Sequence, residues 1–192
     1  MAVDTTPSDA RERILDSAYE LFSRRGVRAV GVDEIVAHAG VARMTLYRQF
    51  GSKDELVLAF LERRRERWTQ DWLQAEVLRR ADTPADRLLA VFDLFDGWFR
   101  APDFEGCAFI NVMLETTQAD HPTRTASVGE LANIRAFLAQ LAAAAGIDDP
   151  PGFASSWHLL MKGAIVAAGE GDVEAARRAQ AIGRLLLADA GA

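Results

Sequence analysis

One cysteine and three histidines leave this chain few options for covalent or metal chemistry. Cys107 could pair with His121 or His158 as nucleophile and base, but no third group is suggested to orient them, and a lone apolar-flanked cysteine is usually buried and inert. Dispersed as they are, these side chains make no metal-ligand cluster of the usual structural type. There is no G-x-x-x-x-G-K-[ST] loop and no G-x-G-x-x-G after a strand to cradle a nucleotide phosphate. The expectation is a non-enzyme without cofactor or metal. Recognition chemistry is far denser: Arg43, Met44, Thr45, Tyr47, Arg48 and Gln49 fall within seven residues. Arginine can pair with guanine edges or phosphates, a threonine offers hydroxyl and methyl to base edges, and a tyrosine hydroxyl can hold a phosphate.

Such groups act only if a fold holds them outward. From Ile14, the positions Leu15, Ala18, Leu21 and Phe22 recur with the helical period, and Gly26 ends that helix. Val32, Ile35, Val36 and Ala39 mark a second helix of about two turns before Gly40, a residue suited to a left-handed corner. Val41, Leu46 and Phe50 continue the inward face on a third helix. Helices at Asp33 to Ala39 and Ala42 to Gln49, joined at a glycine corner, have helix-turn-helix spacing. With Leu46 and Phe50 inside, the arginines and Tyr47 are left on the outer face or its rim. On periodicity alone, an ordinary solvated helix in a small bundle remains the alternative.

Ser52 and Glu55 have capping-box spacing, so a fourth helix is predicted from there to about Trp72. Lys53, one of two lysines, stands at its amino end, where free amides and an ammonium can together grip a phosphate. Beyond it, Thr83 and Pro84 open a helix carrying Leu88, Leu89, Phe92, Phe95, Trp98 and Phe99, more aromatic surface than one helical stripe needs. Either a large core or an apolar cavity follows. Asn111 and Glu115, four apart in the apolar run from Cys107, share a helix face and are candidates to orient a ligand, with helix capping or solvent exposure as the alternative. A helix through Leu131, Ile134, Phe137, Leu138 and Leu141 ends near Gly146; another covers Phe153 to Ala168; Asp172 is expected to cap the last. Gly163, Ala164, Ala167, Ala168, Ala175, Ala176, Ala179 and Gly183 allow close helix approach, in a subunit interface or within one core.

The first helix with its Gly26 stop, followed by VDEIVAHAGVARMTLYRQFGSKDELVLAF from Val32 to Phe60, resembles the DNA-binding domain of the tetracycline-repressor (TetR) family of transcriptional regulators. The Ala39-Gly40-Val41 turn, the Leu46-Tyr47 pair, Phe50 and the Ser52-Lys53-x-x-Leu56 start carry the likeness. It implies an all-α fold: a helix-turn-helix domain over residues 8–52 and a helical effector-binding and dimerisation domain over 53–192. It places Arg43, Thr45, Tyr47 and Arg48 on the recognition helix, with Lys53 as phosphate anchor. Ala42 stands where a serine or threonine commonly caps that helix, removing one contact, and Met44 replaces a small residue and offers an apolar contact to a thymine methyl or sugar. The likeness also implies an effector pocket, for which Phe92, Phe95, Trp98, Phe99, Phe109, Met113 and Trp157 join Asn111 and Glu115 as candidates. A homodimer through the last two long helices, a double-stranded DNA operator and a small, largely apolar effector complete the expectation. The alternative is a DNA-independent helical ligand-binding or scaffold protein.

Composition agrees with a well-packed protein and adds one asymmetry. The 192 residues are 49% hydrophobic and 26% charged, which excludes a disordered chain, and the net charge of -6 argues against a surface basic everywhere. Residues 1–68 carry 12 basic and 11 acidic side chains, whereas 69–192 carry 10 and 17. The negative charge is thus kept away from the part expected to approach a polyanion. With one cysteine, no apolar run near 18 residues and acids at the start where a secretory signal would be apolar, a cytoplasmic protein with no membrane partner is expected.

Overall fold

A computed structural model describes residues 7–192, and all regular structure among them is helical. The elements are α1 (Pro7–Arg25), α2 (Val32–Ala39), α3 (Arg43–Phe50), α4 (Lys53–Arg64), a π-helical segment (Arg65–Gln74), α5 (Ala75–Arg80), α6 (Pro84–Phe99), α7 (Ala108–Glu115), α8 (Pro122–Ala144), α9 (Pro150–Gly169) and α10 (Ala175–Asp189). Packing divides them into two compact units, the first running to Arg64 and including Ala108–Val128, the second comprising Arg65–Cys107 and Gly129–Ala192. Helix α4 is therefore packed with the amino-terminal helices, and the α7 segment joins them from far along the chain.

In the first unit the apolar stripes meet as their periods predict. Ile14, Leu15, Ala18 and Phe22 of α1, Ile35 of α2, Leu46 and Phe50 of α3 and Leu56 and Phe60 of α4 are all buried. Phe60 sits edge-on to Tyr19 and Phe22, with ring centroids 5.6 and 5.5 Å away. The α2–α3 corner turns at Gly40, whose φ of +63° is a left-handed value that a side chain would strain. There the Gly40 N–H donates to Ala37 O at 3.3 Å and the Val41 N–H to Val36 O at 3.0 Å, satisfying carbonyls at the end of α2. The predicted cap of α4 forms by half: the Glu55 N–H donates to Ser52 Oγ at 3.1 Å, but the Ser52 N–H goes to Phe50 O at 2.7 Å. The fourth helix, expected to run to about Trp72, keeps α geometry only to Arg64, and past it the hydrogen bonding loosens into π geometry, a form frequent at functional sites.

The second unit is built on aromatic packing and a polar tie between α6 and α10. Phe92 packs on Phe95 and Trp157, while Trp98 meets Trp68, Trp72 and Phe104 at centroid distances of 5.2, 5.9 and 5.0 Å. Arg177 of α10 donates to Asp93 and Asp96 of α6 at 3.0 and 2.9 Å, and Gln180 Nε2 reaches Leu89 O at 3.1 Å. Thr83 caps α6 as predicted, its Oγ1 accepting the Asp86 N–H at 3.1 Å. Asp172 does not begin the last helix: it accepts the Glu174 N–H at 3.0 Å and pairs with Arg178, and α10 starts at Ala175. The small residues divide between two duties. Ala176 and Gly183 are buried in the core, whereas exposed Gly163 and partly exposed Ala167, with the buried Ala164, Ala175 and Ala179 at its floor, line an open groove of about 480 Å³ between α9 and α10.

Gly183 makes the closest of these approaches, because a Cβ there would lie 2.8 Å from the Trp157 ring and 3.3 Å from that of Phe92. Gly183→Val should therefore cost about 1–3 kcal/mol through overpacking, lowering the melting temperature by several degrees. Calorimetric melts check this, and an unchanged or raised midpoint contradicts the packing described.

Candidate nucleic-acid interface

The residues expected to read a groove sit on the eight-residue helix α3, which has no side-chain cap at Ala42 and is closed instead by the Thr45 N–H donating to Ala42 O at 2.8 Å. Leu46 is fully buried and Phe50 nearly so, and this pins the rotation of the helix. Arg43, Met44 and Arg48 then face solvent, with Thr45, Tyr47 and Gln49 partly covered on the rim. Met44 is 77% exposed, an apolar side chain held in water with no core role. Arg48 makes no ion pair among the described residues, so its guanidinium is available.

Arg43 is held in place by its neighbours. Its Nη1 donates to Asp33 at 3.0 and 3.4 Å, its Nη2 lies 3.5 Å from the Tyr47 oxygen, and its Cζ stands 5.8 Å from the Tyr47 ring centroid. The hydrogen bond to Tyr47, then the Asp33 charge, raise its pKa above the usual arginine value. Asp33 is the residue that sequence reasoning missed here. Ten positions upstream on another helix, it has no periodic relation to Arg43, and only the α2–α3 corner brings them together.

Lys53, expected as a phosphate anchor, stands at the first position of α4 and is partly covered. Its Nζ donates to Val27 O at 2.6 Å and lies 5.9 Å from the Phe22 ring centroid, and burial pushes its pKa down. In this conformation the ammonium closes the α1–α2 turn. The same turn receives Glu115 at the end of α7, which accepts the Arg28 N–H at 2.7 Å and covers Gly26, where a φ of +78° and the nearby carboxylate leave no room for a side chain. His121 adds a contact from the start of α8, its Nε2 standing 3.4 Å from Asp54 Oδ2.

The residues expected to line an effector site therefore fall into two sets. Phe92, Phe95, Trp98, Phe99 and Trp157 are brought together in the second unit, where all but the partly exposed Trp98 are buried. Phe109, Asn111, Met113 and Glu115 lie on α7 in the first unit; Phe109 is fully buried and Glu115 is committed to the α1–α2 turn. His158, weighed from sequence only as a base for Cys107, is 3% exposed on α9, and its Nδ1 is buried with no hydrogen-bond partner among the described residues. Burial, followed by the charges of Lys162 and Arg135, lowers its pKa to about 3.

With this geometry in place, comparison with known proteins identifies the lineage. The profile for bacterial regulatory proteins of the tetR family matches residues 14–60. A crystal structure of a TetR-type transcriptional regulator from Streptomyces avermitilis is 32% identical, with a TM-score of 0.85 over 97% of this chain and 99% of that one. The chain belongs to the TetR family. The transcriptional activator FasR of Mycolicibacterium smegmatis is 40% identical over 90 residues, covering 46% of this chain and 40% of that protein. The transcriptional repressor KstR2 of the same organism is 33% identical over 97 residues, or 48% and 45% of the two chains. The chain thus spans about two fifths of the length of the first curated relatives it matches. Among the described residues, no helix of this TetR-family protein is long and apolar enough to cross a membrane.

The buried imidazole gives the fold a pH dependence of definite sign. An unfolded histidine takes up its proton near pH 6.5, but the folded ring does so only near 3, so between those values the unfolded chain binds more protons and stability falls as pH falls. The stability difference between wild type and His158→Gln should shrink by about 1.4 kcal/mol per unit of pH from 6.5 to 4.5. Urea melts at stepped pH values check it. A constant difference would mean the folded ring titrates normally.

Proposed function

We propose that this protein is a ligand-responsive transcription regulator of the cytoplasm that binds a pseudopalindromic DNA operator as a homodimer. The observation that carries this reading is the outward set Arg43, Met44, Thr45, Tyr47 and Arg48 on a helix fixed from behind by Leu46 and Phe50. In a functional division, residues 8–52 read DNA and 53–192 bind effector and partner. Arg43 and Arg48 supply cationic donors, Tyr47 and Thr45 hydroxyls, and Met44 an apolar contact to a thymine methyl. Lys53 becomes a phosphate anchor once it exchanges the Val27 carbonyl for a phosphate oxygen.

The open groove between α9 and α10 supports the homodimer. Leu159, Ile182 and Leu185 are exposed on these helices beside the small residues of the groove, so a second copy would bury apolar surface now facing water. Two heads then need a spacing of about 34–36 Å, or a multiple of it, to enter successive major grooves on one face of the duplex. An effector held among Phe92, Phe95, Trp98, Phe99 and Trp157 acts by binding better to the dimer whose heads are mis-spaced, which draws population from the DNA-competent state. Repression released by ligand is the simplest form of this cycle. The relatives include both an activator and a repressor, so the sign of control is a separate property from the binding event.

Fluorescence anisotropy with DNA from upstream of its own gene tests the reading. Arg48→Ala should weaken binding by about 1–3 kcal/mol if the guanidinium reads a base, or flatten the salt dependence by about one unit if it meets a phosphate, with the melting temperature unchanged. Equal affinity and equal salt slope in wild type and variant would defeat the assignment of α3.

A further inference from the structure

An open cleft of about 300 Å³ in the first unit lies beside the α1–α2 turn, and its walls come from segments far apart in the chain. Val27 and Arg28 of the turn, Asp54 of α4, Glu115 of α7 and His121 and Thr123 of the α7–α8 corner line it. The corner is tied to itself, because Arg124 donates to Thr116 O at 3.0 Å and also to Met113 O. From there His121 faces α4: its Nε2 stands 3.4 Å from Asp54 Oδ2, while its Nδ1 lies 2.9 Å from Thr123 Oγ1. Thr123 is buried, and Thr116 Oγ1 stands 3.4 Å from its hydroxyl as a second partner.

This arrangement satisfies the ring in both of its charge states. As neutral imidazole it can donate from Nε2 to Asp54 and accept the Thr123 proton at Nδ1; as imidazolium it donates from both nitrogens, and Thr123 turns its proton to Thr116. The ring keeps its place and only its charge changes. Histidine is the side chain whose ordinary titration falls between pH 5 and 8. The other charged groups around it are Lys53 and Asp54 from α4, Glu115 from α7, Arg28 from the turn and, on its own segment, Asp120 and Arg124. Glu115 is occupied by the Arg28 N–H, whereas the exposed Asp54 has its ion pair with His121. Asp54 directly follows Lys53 at the amino end of α4, so its charge opposes an anion arriving there, and together with that of Glu115 it favours the charged ammonium resting on the Val27 carbonyl.

Resting on the reading that Lys53 anchors a DNA phosphate, we propose that His121 is a positioning residue of the DNA-binding surface: protonated, it pairs with Asp54 across the cleft and cancels the carboxylate beside the phosphate anchor. The sign of the resulting pH dependence follows from linkage. A phosphate at the start of α4 favours the imidazolium, so the DNA complex holds more protons than the free protein and affinity rises as pH falls through the histidine range. Because His121 belongs to the corner that also places Glu115, the same segment sets both the turn and the charge beside the anchor.

Phosphate contacts are independent of base sequence, so mixed-sequence double-stranded DNA at low, constant ionic strength serves as the probe. In anisotropy titrations of the full-length protein from pH 8 to pH 6, wild type should gain about two- to fivefold more affinity than His121→Gln, the size expected of one exposed charge pair. His38, 3.7 Å from Glu20, is common to both proteins, so the comparison excludes it. Asp54→Asn should bind about two- to fivefold tighter than wild type at pH 8 and lose most of the extra pH dependence, which a merely structural role for His121 would not produce. Both substituted side chains reach solvent, so these variants keep the fold. Equal pH profiles in wild type and His121→Gln, or an Asp54→Asn protein that binds no tighter at pH 8, overturn the inference and leave the regulator reading standing. No DNA binding by any of the three proteins at any pH defeats the regulator reading itself, and this inference with it.

Discussion

The burial of Leu46 and Phe50 against α1, α2 and α4 fixes what α3 can present. An eight-residue helix with no side-chain cap has little stability of its own, so its position comes from tertiary contact. Full burial of side chains of this size contributes about 1.5–3 kcal/mol each, and α3 has only these two inward anchors. Because the helical period is fixed, placing both inside forces Arg43, Met44 and Arg48 outside. The Arg43 clasp by Asp33 and Tyr47 depends on that same rotation.

A second constraint acts on the α1–α2 turn. Lys53 holds the Val27 carbonyl, Glu115 holds the Arg28 N–H, and Gly26 provides the space beneath the carboxylate. These contacts join α4 and α7 to the turn that leads into the helix-turn-helix. A displacement of Glu115 or Lys53 is therefore felt at the base of the recognition element through hydrogen bonds and not only through packing. Lys53 has two acceptors open to it, a backbone carbonyl in the free protein and a phosphate in the proposed complex, and exchanging one for the other is a local two-state event.

Much of the first unit was legible because its information is local. Apolar period, the Gly40 corner and the Gly26 stop act over a few residues, and α2 and α3 fall within a residue of where the pattern places them, whereas α1 begins well before its apolar stripe. The longer-range features were not legible. That Glu115 meets Arg28, or that Arg43 meets Asp33, depends on tertiary placement with no periodic trace, so the role of Glu115 as a backbone acceptor at a turn was not visible in the sequence. Among the small residues near the end of the chain, composition could not tell Gly183, packed under Trp157, from Gly163, open in the groove. The π segment after Arg64 was equally hidden, since residues of ordinary helix propensity give no sign of a loosened turn.

The account also separates what holds the protein together from what it recognises. Aromatic packing and the Arg177 tie stabilise the second unit. Exposed Met44, exposed Arg48 and the apolar α9–α10 groove face solvent in the isolated chain, and in the proposed complex each meets a partner. The central claim is that paired heads seat two α3 helices on one duplex. Selection of bound fragments from genomic DNA, followed by hydroxyl-radical footprinting of the recovered sequence, tests it most directly. Two protected half-sites on one face of the helix, centred about 34–36 Å or a multiple apart, are the predicted result. Recovery of no preferred sequence, or protection of a single site at every protein concentration, would contradict it.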